Sequence, residues 1–225
     1  MIFTKKPKVS TMSRGYTGFT LAEVLITLGI IGIVAVLTIP IIQSVVWDTQ
    51  QKSQFKKAYA TVNNAMYQIK ISTGTFPDCF YPTYDITGAV NPGCGNFFSE
   101  FRNNLNIIKS CFNHNGYAGG CVPNYTYSDS SMPCSGLQVN NVLNWNYAYV
   151  LADGIIIVDY YQDGNPILLV DINGQNGPNK LGYDLFDIVW WGNNDFIKVG
   201  MMNSSCMTPA SGGRTTKNML QYAFQ

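Results

Sequence analysis

Histidine is almost missing from this chain, with one, His114, in 225 residues. It sits between Asn113 and Asn115 with no partner that the sequence can name, so histidine-based triads and His-Glu-x-x-His metal centres have nothing to be built from. Charge is also scarce, at 12% of residues, and no acid precedes Glu23. No cysteine occurs before Cys79 and no Cys-x-x-Cys pair occurs anywhere, which argues against a zinc-thiolate centre. There is no Gly-x-Ser-x-Gly elbow and no phosphate loop, and the fragment Gly93-Cys94-Gly95 lacks the third glycine and the βαβ setting of a dinucleotide site. Ser204-Ser205-Cys206 reads as a strand end closed by a disulfide rather than as a nucleophile. The chain is therefore expected not to be an enzyme and to need no organic cofactor.

What is present begins at the N-terminus. Lys5, Lys6, Lys8 and Arg14 make the first 18 residues a basic leader, and Val24 to Ile42 follows as 19 residues without a charge. A helix rises about 1.5 Å per residue, and roughly 20 apolar residues cross the hydrocarbon, so this run spans a membrane. Flanking positive charge stays on the cytoplasmic side, which places the bulk of the chain outside. Trp47 is positioned as an aromatic anchor at the far interface. A secretory signal has a shorter apolar core of about 7 to 15 residues ending in a small-residue cleavage site. Thr38-Ile39-Pro40 offers no such exit. The plausible cut lies ahead of the run, at Gly18, and would leave the membrane helix on the mature protein.

Gly18-Phe19-Thr20-Leu21-Ala22-Glu23, followed by Val24-Leu25-Ile26, resembles the signal of type IV prepilins and type II secretion pseudopilins. The resemblance covers roughly residues 14 to 70. It implies cleavage between Gly18 and Phe19 by a prepilin peptidase, N-methylation of Phe19, extraction from a bacterial inner membrane by an assembly platform, and incorporation into a filament of pilin-like subunits. It makes Glu23 the fifth residue of the mature chain and pairs it with the N-terminal amine of a neighbouring subunit. A carboxylate at membrane depth costs on the order of 2.5–3.5 kcal/mol, which such a pairing offsets only after assembly; snorkelling to the headgroups is the alternative. Gly32 and Pro40 fall where the family often carries a helix-packing glycine and a helix-loosening proline.

Beyond Trp47, the residues Phe55, Ala58, Tyr59, Val62, Ala65, Met66 and Ile69 recur at the three-and-four spacing of an amphipathic helix. Lys52, Lys56, Lys57 and Gln68 take the other face. One helix from about Thr20 to Ile71 is expected, kinked or locally melted at Pro40, with two helices and a hinge as the alternative and Ser72-Thr73-Gly74 as the stop. The resulting division is a leader at 1–18, a transmembrane half-helix at 19–46, an amphipathic half-helix at 47–73 and a head at 74–225.

In the head, Trp145, Tyr147, Tyr149 and Leu151 alternate, Ala152-Asp153-Gly154 turns, Ile155 to Tyr161 follows, and Asp163-Gly164-Asn165-Pro166 leads into Ile167 to Ile172. That predicts a three-stranded antiparallel meander packed on the helix stripe, an α+β fold with a pilin-like long N-terminal helix on a small sheet. Phe97, Phe98, Phe101 and Leu105 predict a further short helix. All six cysteines lie in this exported part and read as disulfides, with Cys79–Cys94, Cys111–Cys121 and Cys134–Cys206 as the expected pairs among 15 possible connectivities.

The segment from Asp171 to Asp184 crowds oxygen-bearing side chains among glycines and resembles a stretch that recurs near the C-terminus of pseudopilin-like proteins, some of which hold calcium. The spacing is not that of an EF-hand, since Asn176 takes the glycine position and Gly182 the place of the bidentate glutamate. Asp171, Asn173, Asp184 and Asp187 are the candidate calcium ligands; an Asx-rich turn with no metal is the other reading. Residues 75 to 225 carry six basic and eleven acidic side chains, a balance of −5. An acidic head disfavours nucleic acid as a partner.

Overall fold

A computed structural model of the chain describes residues 18–74, 92–112, 115–125, 147–162, 165–189 and 209–225. Contacts divide the chain into two units, residues 1–46 and 47–225.

Helix α1 covers Leu21–Thr73 without a break and contains Pro40. Of the two outcomes expected at Pro40, local melting is not seen: the residue sits inside the helix although it lacks an amide donor. The helix ends where the sequence puts its stop. Gly74 adopts φ 79 and donates its N–H to Lys70 O at 2.9 Å, a left-handed cap that a side chain at this position would strain.

In the first unit, the apolar residues of α1 are exposed all round, with Leu25, Ile26, Ile31, Ile33 and Leu37 each more than 60% accessible. In the second unit, the same helix becomes two-faced. Phe55, Ala58, Val62, Ala65, Met66 and Ile69 are buried at 2% exposure or less, Tyr59 is partly buried against the same core, and Lys56 and Lys57 remain in solvent.

The partner of that stripe is an antiparallel sheet of β1 (Ile107–Cys111), β2 (Ala148–Leu151), β3 (Ile156–Gln162), β4 (Asn165–Asp171) and β5 (Leu185–Val189), in sequential order. The predicted meander is the β2–β3–β4 centre of this sheet, with Val150 opposite Ile156 and Ile157 opposite Val170. It is extended on both sides. Tyr149, Leu151, Ile157, Leu168, Val170, Phe186 and Ile188 face α1 and form one core with it. Ile156, Val158, Leu169 and Leu185 alternate with them and are fully buried as well, which explains why β3 reads as a continuous apolar run rather than a polar–apolar alternation.

Two short helices complete the described head. Helix α2 (Pro92–Asn103) inserts Phe101 into the core, as the aromatic spacing predicts. Helix α3 (Thr216–Phe224) adds Met219 and Ala223 and was not anticipated. Thr215 caps it by accepting from Asn218 N at 3.1 Å. Thr216 covers the free edge of β5, where Asp187 N–H donates to its hydroxyl at 3.2 Å; an edge left bare would invite pairing with another chain.

Cys111, at the end of β1, is bonded to Cys121, closing a loop across a Cα separation of 6.1 Å. A loop of this length stabilises by about 3 kcal/mol in the chain-entropy account. Gly119 sits inside it, where a Cβ would come within 2.8 Å of Cys111 Sγ and 2.5 Å of Asn115 O. The other two expected disulfides, Cys79–Cys94 and Cys134–Cys206, are not described, because Cys79, Cys134 and Cys206 fall outside the described residues.

Phe55 lies edge-on to Phe186, with ring centroids 5.0 Å apart, at the centre of the helix–sheet contact. Phe55→Ala is expected to destabilise the head by about 3–5 kcal/mol, read as a lowered midpoint in chemical denaturation followed by the near-ultraviolet signal of the sheet aromatics.

Candidate functional site

Gly18, Phe19 and Thr20 precede the first helical residue and are exposed, Phe19 at 88%. Nothing lies within 4 Å of the position a Cβ on Gly18 would take, so no packing among the described residues asks for glycine there. Glu23 is held by its own helix end. Its Oε2 accepts from Thr20 N at 2.9 Å and from Thr20 Oγ1 at 2.8 Å, while Glu23 N donates to Thr20 Oγ1 at 3.2 Å. This is a capping box, with Thr20 as the cap and Glu23 three residues on. It fixes the carboxylate at Thr20, and every group of the box lies on the C-terminal side of the bond between Gly18 and Phe19. Gly29 and Gly32 likewise have open space around them. Each costs the helix about 0.5–1 kcal/mol relative to alanine with no compensating contact in the described chain.

The second site is the loop from Asp171 to Asp184. Asp171, fully buried, accepts through Oδ1 from Asn173 N at 3.1 Å and Gly174 N at 2.8 Å. Asp184, also buried, takes the amides of Asn179 and Lys180, each at 2.6 Å. Gly174 has φ 69 and lies so close to Gly154 O that a Cβ would come within 2.2 Å of it, which binds the loop to the β2–β3 turn and requires glycine. Burial pushes the Asp171 carboxyl well above the usual range, and the neighbouring Asp184 raises it further; the amides of Asn173 and Gly174 and the Tyr125 hydroxyl offset this only in part. Burial raises Asp184 too.

Residues 13–39 match the family model described as the prokaryotic N-terminal methylation motif. The segment is a type IV prepilin signal. No curated protein and no solved structure matches the chain. The motif implies processing by a prepilin peptidase and assembly with pilin-like subunits, and the apolar helix behind it marks a single-pass membrane-anchored protein.

The loop also passes a test of fit for a hard cation. Asn173 Oδ1 and Asn179 Oδ1 are buried and accept no hydrogen bond among the described residues, an arrangement that costs about 1–3 kcal/mol per group unless a donor or a cation reaches it; Asp171 has the Tyr125 hydroxyl in addition to its two amide donors. Oxygens of this kind suit calcium chemistry, with both Asp184 oxygens already accepting the amides of Asn179 and Lys180. Among the described residues, no group of three or more acidic, histidine or cysteine side chains converges. Asp187 has a different partner from the one the sequence suggests, since its Oδ1 accepts from the Thr216 hydroxyl at the edge of β5. Asn179, not singled out from the sequence, has φ 54, a left-handed conformation that asparagine tolerates better than most residues. His114 falls outside the described residues.

One further buried acid bears on stability. Asp159 points to the core side of β3, where the Tyr149 hydroxyl donates to its Oδ2 and Arg102 of α2 lies at 3.5 Å. Arg102 also donates to the Tyr149 oxygen at 2.9 Å. Desolvation dominates, lifting Asp159 to about 7 despite these partners, and burial lifts Asp187 to about 6. Both folded-state pKa values exceed those of the unfolded chain, so between roughly pH 4 and 7 the folded state binds more protons and stability falls as pH rises. The head's melting midpoint is expected to rise as pH is lowered from 8 to 5. Asp159→Asn should flatten that profile in part, leaving the contributions of Asp187, Asp171 and Asp184.

Proposed function

We propose that this chain is a structural subunit of a type IV pilus-like filament, and within that class a type II secretion pseudopilin. It is inserted in the bacterial inner membrane with its head in the periplasm, cut between Gly18 and Phe19, methylated on Phe19 and passed by the assembly platform into the fibre. The observation that carries this reading is Glu23. An acid is fixed by a capping box at the mouth of a helix whose next 19 residues are uncharged, where it has no cationic partner among the described residues.

Once the leader is gone, the Phe19 amine of another copy supplies that partner. The pair sets the axial register of one helix against the next, because only one stagger places amine and carboxylate together in a low-dielectric bundle. The exposed apolar faces then exchange lipid for neighbouring helices. The head contributes shape and contacts on the fibre surface. Its Asp/Asn/Gly-rich loop, with oxygens suited to calcium, favours the secretion-type subunit over an adhesive or DNA-uptake pilin, and the acidic balance of residues 75–225 points the same way.

Glu23→Val should leave peptidase processing intact while preventing incorporation. The check is a host carrying the assembly machinery, in which the mature form accumulates in membranes and is absent from sheared filaments. Filaments at wild-type yield from that variant would remove Glu23 from the mechanism.

A further inference from the structure

A cleft of about 320 Å³ lies where three stretches distant in sequence converge: the turns of α1 carrying Thr61, Asn64 and Gln68, the α2–β1 connection at Asn104 and Asn106, and the β2–β3 turn at Asp153. Its floor is apolar, with Ala65 and Leu151 buried and Leu105 packed against the same core. Asn64 and Gln68 stand one helical turn apart, so their carboxamides share a face of α1. A typical small-molecule site of this size is mostly apolar. Here the rim is carboxamide and hydroxyl, which calls for a polar occupant.

The groups already committed narrow what that occupant is. Asp153, the one ionised side chain in the lining, pairs through Oδ2 with Lys57 Nζ at 3.3 Å, and its Oδ1 accepts from Ile155 N at 3.2 Å. The cleft therefore offers no unbalanced charge to a phosphate, a carboxylate or an ammonium group. The backbone of its walls is closed as well. Ala152 N–H donates to Asn106 O and Leu151 N–H to Ile155 O, each at 2.9 Å, so these groups are not open to an added peptide strand. Asn104 Nδ2 donates to Glu100 O at 2.9 Å. The side chains of Thr61, Asn64, Gln68 and Asn106 have no such partner among the described residues. What remains is three carboxamides and a hydroxyl, uncharged groups that each donate and accept. We propose that this cleft is a binding site for a neutral saccharide, with room for about one or two sugar units. Neighbouring ring hydroxyls are donor and acceptor side by side, and a carboxamide meets such a pair with its N–H and C=O together. The C–H face of the ring covers Ala65, Leu105 and Leu151, removing apolar floor from water. The site gives the head a ligand of its own and does not depend on how the chain is processed or assembled.

The test is saturation-transfer and side-chain amide NMR on the full mature chain, in micelles of a detergent without a sugar headgroup, with maltotriose and tri-N-acetylchitotriose as probes and glycerol as the control. At least one of the saccharides should receive saturation and shift the side-chain amides of Asn64, Gln68 and Asn106. Asn64→Ala and Gln68→Ala should each weaken that binding by about 3- to 10-fold. Both positions are exposed on a helix, where alanine is well tolerated, and unchanged backbone shifts in β3 and β4 report an intact fold. Lys56→Gln, whose side chain lies over Phe224 instead, should leave the affinity unchanged. Equal shifts with glycerol would reduce the effect to general solvation by polyols and overturn the site, as would saccharide binding that survives Asn64→Ala and Gln68→Ala combined. Shifts of the same amides by tetraalanine, with both saccharides silent, would overturn the saccharide and assign the cleft to peptide. Silence from every probe would overturn the site itself.

Discussion

Twelve large apolar side chains between Val24 and Ile42 stand exposed on α1, and water is no place for them. At about 2 kcal/mol for each side chain fully buried, removing them from water is worth on the order of 20 kcal/mol, more than the whole folding stability of a typical domain. No local contact in the head competes with a demand of that size. In the proposed reading the helix lies in lipid before assembly and among other helices afterwards, and the rest of the chain serves that exchange: a basic leader to orient insertion, a removable segment ahead of Phe19, one acid to choose the register, and glycines that leave room for a neighbour.

Past Trp47, the same helix obeys the opposite rule. Six residues spaced three and four apart sink into the sheet and the others carry lysines, so a single element serves two solvents along its length. The head that receives it is stabilised by apolar burial on both faces of the sheet and by a closed disulfide loop, and it carries buried carboxylates at Asp159, Asp171, Asp184 and Asp187. Such groups weaken a fold unless each has its partner. Arg102 and Tyr149 serve Asp159, Thr216 serves Asp187, the amides of Asn179 and Lys180 serve Asp184, and those of Asn173 and Gly174 serve Asp171.

The processing segment was legible because its chemistry is rare: an uncharged span, an acid at its mouth and a basic leader coincide seldom by chance. The stalk was legible because a 3.6-residue period survives in the order of residues, and β2, β3 and β4 because alternation and turn residues mark them. β1 was missed since Lys109 and Ser110 interrupt its apolar pattern at a sheet edge. β5 was missed because Asp187 sits in its middle, acceptable only through a hydroxyl 29 positions further on. Helix α3 is nine residues whose justification is the β5 edge and the α1 surface, neither adjacent in sequence. At the loop, spacing named the acids but not the direction of their side chains, so neither the Thr216 hydroxyl that holds Asp187 nor the left-handed turn at Asn179 was foreseen. Arg214 and Gln51 carry no pattern at all, being joined across 163 residues.

The measurement that bears most directly on the account is the intact mass and N-terminal sequence of the protein extracted from the membranes of a host with a prepilin peptidase. A chain beginning at N-methylated Phe19 and still retained by the bilayer through Val24 to Ile42 is the predicted result. A membrane-bound product that keeps Met1 and its basic leader, or a soluble one cut beyond Ile42, would contradict it.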